Sequence, residues 1–129
     1  MDYLISWNLQ GLGVSRCNRV KCYLNQELFL SSIGRLDMLC FQEHHLNSRR
    51  IALIRNLLSG SWIYEWVPVF GPSGTQGGLC IALRMQWQTH VQAKGVLHGG
   101  RVQYMLILIF GKLIGFSNVY ALNSATGRI

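Results

Sequence analysis

The sequence predicts an α/β domain, a mixed β-sheet with flanking helices. Three observations carry that expectation. A short β-prone run, Tyr3 to Trp7, is followed by a helix-patterned stretch and then by a second apolar run, Met38 to Phe41. Strand, helix, strand is the pattern of a parallel pair joined by a right-handed crossover. From Trp87 onward the chain reads as strands in direct succession, which implies antiparallel pairing. The composition agrees: 129 residues, 50% hydrophobic and 13% charged, suit one globular domain with its own core.

Tyr3 to Trp7 ends in Asn8, so a polar amide stands at a strand end, ahead of Gly11 and Gly13, which permit a tight turn. Between Ser15 and Ile33, Val20, Tyr23, Leu24 and Leu28 recur at helical spacing, with Ser15 as the cap and Gly34 as the stop. The rest of the chain is organised around Leu36 to Leu46, L-D-M-L-C-F-Q-E-H-H-L. It reads as a buried strand that delivers Gln42 and Glu43 at its C-terminal end, where α/β sheets keep their sites. A carboxylate buried there needs a cation, a partner or hydrogen bonds. Glu43 is therefore a candidate metal ligand, and the alternative is that it opens a solvated loop. His44 and His45 are read as loop residues, because adjacent side chains do not readily face one metal and no thiolate pair accompanies them.

Asn47 or Ser48 caps a second helix, with Ile51, Leu53, Ile54, Leu57 and Leu58 as its apolar face. Arg49, Arg50 and Arg55 then form a solvated face in preference to a phosphate clamp. Ser61 to Phe70 is aromatic-rich and β-prone, with Pro68 marking an edge or a bend. The loop Gly71 to Gly78 has no lysine and runs into a strand, Leu79 to Leu83, which excludes a phosphate-cradling loop. Gly11-Leu12-Gly13 lacks the third glycine of a dinucleotide fingerprint, since Arg16 stands there. Three further strands are expected at Trp87 to Ala93, Val102 to Phe110 and Leu113 to Tyr120.

Twelve Lys+Arg against five Asp+Glu give a net charge of +7, which favours an anionic partner such as nucleic acid or phosphate. The basic residues are scattered and include no polybasic membrane anchor. Tyr104 to Phe116 is interrupted by Lys112 and falls short of the ~20 residues that span a bilayer. Cys17, Cys22, Cys40 and Cys80 have no C-x-x-C spacing, and Cys40 and Cys80 lie in apolar runs, as buried free thiols do. With no secretory leader visible, the expected location is intracellular, nuclear or cytoplasmic.

Four separated segments, Ile5-Ser6-Trp7-Asn8-Leu9-Gln10-Gly11-Leu12, Asp37-Met38-Leu39-Cys40-Phe41-Gln42-Glu43, Gly77-Gly78-Leu79-Cys80-Ile81-Ala82 and Asn118-Val119-Tyr120-Ala121-Leu122-Asn123, together resemble the endonuclease/exonuclease/phosphatase superfamily. Within it, the chain is most similar in flavour to the apurinic-endonuclease-like domain of non-LTR (LINE) retrotransposon proteins. The resemblance implies the N-terminal half of a four-layer α/β sandwich, with residues 1–129 forming a single partial domain truncated at its C-terminus. It also implies Mg²⁺-dependent phosphodiester hydrolysis, with Mn²⁺ as an alternative ion and DNA as the partner of the full domain. Carried over by position, Glu43 is the carboxylate metal ligand, Asn8 orients the metal site or the phosphate, and Tyr120 and Asn123 line the phosphate pocket. Mg²⁺ suits such a set, since it takes hard oxygen ligands and keeps several waters.

The departures from the pattern matter as much. Leu122 stands where the family has proline, no Asp follows Asp37, and Glu65 is the only acidic residue after Glu43. The family's Gly-Asp-x-Asn and Ser-Asp-His segments thus have no counterpart, so little or no activity is expected of the chain alone. The readings that stand beside this one are a non-catalytic, basic nucleic-acid-binding module and half of a small-phosphoester phosphatase. Half a two-sheet sandwich is also expected to leave an apolar sheet face uncovered, and with it a tendency to self-associate.

Overall fold

The computed structural model describes residues 3–9, 36–55, 62–69 and 77–120. The helix expected at Ser15 to Ile33, most of the glycine-rich loop and Asn123 lie outside the described residues. Two sheets stack on each other. The first contains β1 (Tyr3–Asn8), β2 (Leu36–Gln42), β3 (Trp62–Val67) and β4 (Leu79–Arg84), in the order β1-β2-β4-β3. The second contains β5 (Val91–Leu97), β6 (Val102–Ile109) and β7 (Lys112–Val119), in that order. A single α-helix among the described residues, α1 (Ser48–Ile54), lies on the outer side of the first sheet.

The pairing follows the sequence pattern. β1 and β2 run parallel, β2 with β4 and β3 with β4 antiparallel, and the second sheet is antiparallel throughout. The first sheet is therefore mixed, as expected for an α/β domain. β4 is buried at every position and β2 at all but Gln42, because both are covered on two faces, which is why neither alternates in polarity. On one face Leu39, Phe41, Cys80 and Ala82 pack with Ile51 and Ile54 of α1. On the other, Met38, Cys40, Ile81 and Leu83 pack with Met105, Ile107 and Ile109 of β6.

Two expectations are corrected. Trp87 does not begin a strand: Met85–His90 forms a 3₁₀ helix and β5 starts at Val91. The cause is tertiary, since Trp87 turns inward to donate its indole N–H to Asp37 Oδ1 at 3.0 Å and meets His90 edge-on. In α1, capped by Asn47 through a 2.9 Å bond from the Arg50 N–H, Ile51 and Ile54 are buried, but Leu53 is 68% exposed.

The second sheet has an uncovered apolar face. Its register places Leu97, Leu108, Leu113 and Val119 on the side opposite Met105 and Ile107. They are 49%, 38%, 58% and 52% exposed. Cys40 and Cys80 are free and buried, and burial raises the Cys40 thiol to about 11. Among the described residues, no helix is long and apolar enough to cross a membrane.

Candidate functional site

Parallel neighbours finish together, and that is what assembles this end of the molecule. The β1–β2 register sets Asn8 opposite Gln42, and the Leu9 N–H extends the ladder to the Gln42 carbonyl at 2.9 Å. Glu43 is the next residue. β7 arrives from the second sheet at the same place through Asn118, which is 1% exposed. The Asn118 amide donates to the carbonyls of Phe41 at 2.9 Å and Cys80 at 3.1 Å, and its Oδ1 accepts from Gln42 Nε2 at 2.8 Å. Gln42 Nε2 also reaches Ser6 Oγ at 2.8 Å. Gln103 joins from β6, accepting from Asn118 and donating to the Glu65 carbonyl at 2.7 Å. Buried amides paired in this way satisfy both sheets where their backbones meet.

Two residues beyond Asn118, the N–H of Tyr120 donates to the Arg101 carbonyl at 2.8 Å, and its side chain is half-buried. Asn8 is exposed and Glu43 half-buried. The structure thus brings three of the sequence-predicted residues, Asn8, Glu43 and Tyr120, to one end of the sandwich, while Asn123 lies outside the described residues. A cavity of about 250 Å³ lies alongside, lined by Leu4, Ser6, Gln42 and Asn118 among others. A wider cleft of about 830 Å³ follows the β3 edge between Tyr64, Trp66 and Lys94, but none of the three predicted residues lines it.

The turn leaving β2 is unusual. Glu43 and His45 both have left-handed backbones, with φ of 56° and 59°, a conformation that non-glycine residues adopt at a cost. Between them His44 is fully buried. Its Nδ1 accepts from the Leu46 N–H at 2.9 Å, which puts the proton on Nε2, and Nε2–H points at the carbonyls of Val67 at 2.9 Å and Leu79 at 3.2 Å. Burial pushes this imidazole down to about 4 against the pull of those two carbonyls, and the charge of His45 adds to the fall. With both nitrogens engaged, His44 is not a metal ligand.

Among the described residues, no group of three or more His, Cys, Asp or Glu could hold a metal ion. Asp37 sits at the far end of β2, and Glu65 pairs with Lys94. The donors gathered at this end are oxygens: the Glu43 carboxylate and the amides of Asn8 and Gln42. Sequence reasoning placed Gln42 at this strand end but assigned no role to it, to His44 or to Asn118. Gln42 and Asn118 could have been found as amides set at the ends of otherwise apolar runs. Nothing in the sequence separates His44 from the exposed His45.

The sequence profile of the Endonuclease/Exonuclease/phosphatase family matches residues 5–127. No curated protein matches the chain. Among solved structures, the AP endonuclease of Leishmania major is similar, with a TM-score of 0.65 and 19% identity over 95% of this chain and 40% of that one. The architecture is thus AP-endonuclease-like, and the chain spans 40% of the length of that relative.

Proposed function

Because the chain belongs to the endonuclease/exonuclease/phosphatase family, we propose that the end built from β1, β2 and β7 is one part of a divalent-metal site for phosphodiester hydrolysis on DNA, of the type found in non-LTR retrotransposon endonucleases. The observation that carries this reading is the convergence of Asn8, Glu43 and Tyr120 through the Asn8–Gln42 register and the Asn118 amide. The donor set fits Mg²⁺ or Mn²⁺, which take hard oxygens and bind through one or two carboxylates plus substrate phosphate. Glu43 would hold the ion. When bound, it supplies Lewis-acid polarisation of the phosphoryl group. Asn8 presents an amide that accepts on one side and donates on the other, and so orients the carboxylate or the phosphate. Tyr120 would contact the phosphate, a role that the family resemblance gives to Asn123 as well from its place in the sequence.

Residues 1–129 then act as a partial domain. With no Asp after Asp37, the chain offers no aspartate base to activate water at this site, and the proposal includes little or no hydrolysis by the chain alone. Supercoiled-plasmid nicking tests it, with Mg²⁺, with EDTA, and with Glu43→Gln. Mn²⁺ bound through Glu43 without nicking is the expected result; nicking that needs both Mg²⁺ and Glu43 overturns the inactivity. The +7 charge favours a second reading, a non-catalytic nucleic-acid-binding module, whose DNA affinity would fall steeply with salt.

Self-association belongs to the same proposal. The exposed Leu97, Leu108, Leu113 and Val119, with Phe110 at 92% exposure beside them, form the kind of apolar surface that proteins cover. Sedimentation velocity is expected to show mass rising with concentration, and Leu108→Lys with Leu113→Lys to return the monomer. A wild type that stays monomeric at high concentration rules it out.

A further inference from the structure

The turn that presents Glu43 is held from behind by one buried side chain. We propose that His44 is a positioning residue: its imidazole, tied to the backbone of three segments, fixes the left-handed turn from which the Glu43 carboxylate is presented. The inference rests on the reading of Glu43 as a metal ligand.

Left-handed non-glycine residues on both sides of His44 are costly, and they persist only where the surroundings over-determine them. Here His44 provides that determination. Its Nε2–H spans the end of β3 and the start of β4 at Val67 and Leu79, while its Nδ1 holds the Leu46 N–H on the far side of the turn. The backbone N–H groups of His44 and His45 donate to Gly78 at 3.4 Å and Gly77 at 3.1 Å, so the turn is laced to the β4 approach by main chain as well. Gly78 has φ 93°, and a Cβ there would collide with the imidazole of His44, so the ring and that glycine fit each other. Trp66 closes the pocket edge-on at 5.5 Å. A ring so placed cannot shift without moving residues 43 and 45 on either side of it.

The test separates loop-holding from metal binding. Unfolding equilibria in EDTA for wild type, Glu43→Gly, His44→Ala and the double variant form one cycle. With His44 present, Glu43→Gly relieves a left-handed backbone and is expected to raise the folding constant about threefold. Without His44 the turn relaxes, and Glu43→Gly should then lower the folding constant or leave it unchanged. An equal gain in both backgrounds overturns the proposal. His44→Gln, whose amide can reach the Val67 and Leu79 carbonyls, serves if His44→Ala does not fold and is expected to restore part of the coupling. In a second arm, Mn²⁺ affinity measured by water-proton relaxation is expected to fall at least about fivefold in His44→Ala and to recover partly in His44→Gln. Unchanged affinity in a folded His44→Ala overturns positioning. If wild type binds no Mn²⁺, or Glu43→Gln binds it equally well, the metal reading of Glu43 fails, and the cycle still decides whether His44 sets the turn.

Discussion

The two ends of β2 each carry a carboxylate, and the molecule treats them in opposite ways. At the leading end Asp37 is buried, and its charge is answered inside the protein. Trp87 donates to it at 3.0 Å, and Arg84, itself 3% exposed, lies 3.9 Å away while donating to the Leu36 carbonyl and stacking over Trp62. At the trailing end Glu43 stands on a left-handed turn and is half-buried. One end spends its hydrogen bonds on neutralising a charge. The other directs them to the neighbouring residue, His44, while Glu43 itself is half-buried. Within one strand, the first arrangement suits stability and the second suits binding.

The sharpest way to break this contrast is Arg84→Met, which leaves Asp37 buried without its cation. Loss of one partner of a buried pair costs about 3–5 kcal/mol, and urea unfolding is expected to record it. A loss below about 1 kcal/mol would mean that Asp37 is not held by this cation. The next effect is acid sensitivity at the trailing end. In the unfolded chain His44 takes up a proton near pH 6.5, and in the folded chain burial delays that to about 4. Between these values the unfolded state binds more protons, so stability rises with pH. The contribution is complete above pH 6.5 and is lost on acidification to about pH 4. Its size is about 3 kcal/mol, measurable by urea titration in EDTA, and His44→Gln should flatten that part of the profile. The smallest effect is Glu43→Gln, expected to change stability by less than about 0.5 kcal/mol without metal. A larger loss would make Glu43 a structural carboxylate like Asp37 and end the comparison.

Much of the first sheet was legible because burial on two faces leaves a plain mark: Met38 to Phe41 and Leu79 to Leu83 are apolar runs bounded by polar or turn residues. The placing of Asn8 and Glu43 at neighbouring strand ends follows from parallel pairing alone, so that much of the site could be read as well. The 3₁₀ segment at Met85–His90 was not legible, since Trp87 carries β propensity and its turn inward depends on Asp37, fifty positions earlier in the chain. Leu53 was misplaced for a related reason: α1 ends at Ile54, and a helix this short buries only a narrow stripe. The histidine pair marks the limit. Two identical neighbours differ in burial only because Val67, Gly78 and Leu79 come from elsewhere to meet one of them.

The doubly covered strands have one more consequence. Cys40 points into the layer between the sheets, and Cys80 into the layer beneath α1. Reaction with a thiol reagent requires the thiol to become exposed and ionised, so each cysteine times the opening of its own layer. Mass-resolved alkylation at these two positions would therefore report whether the second sheet lifts away while the helix-covered layer stays shut, or whether the sandwich opens as one cooperative unit.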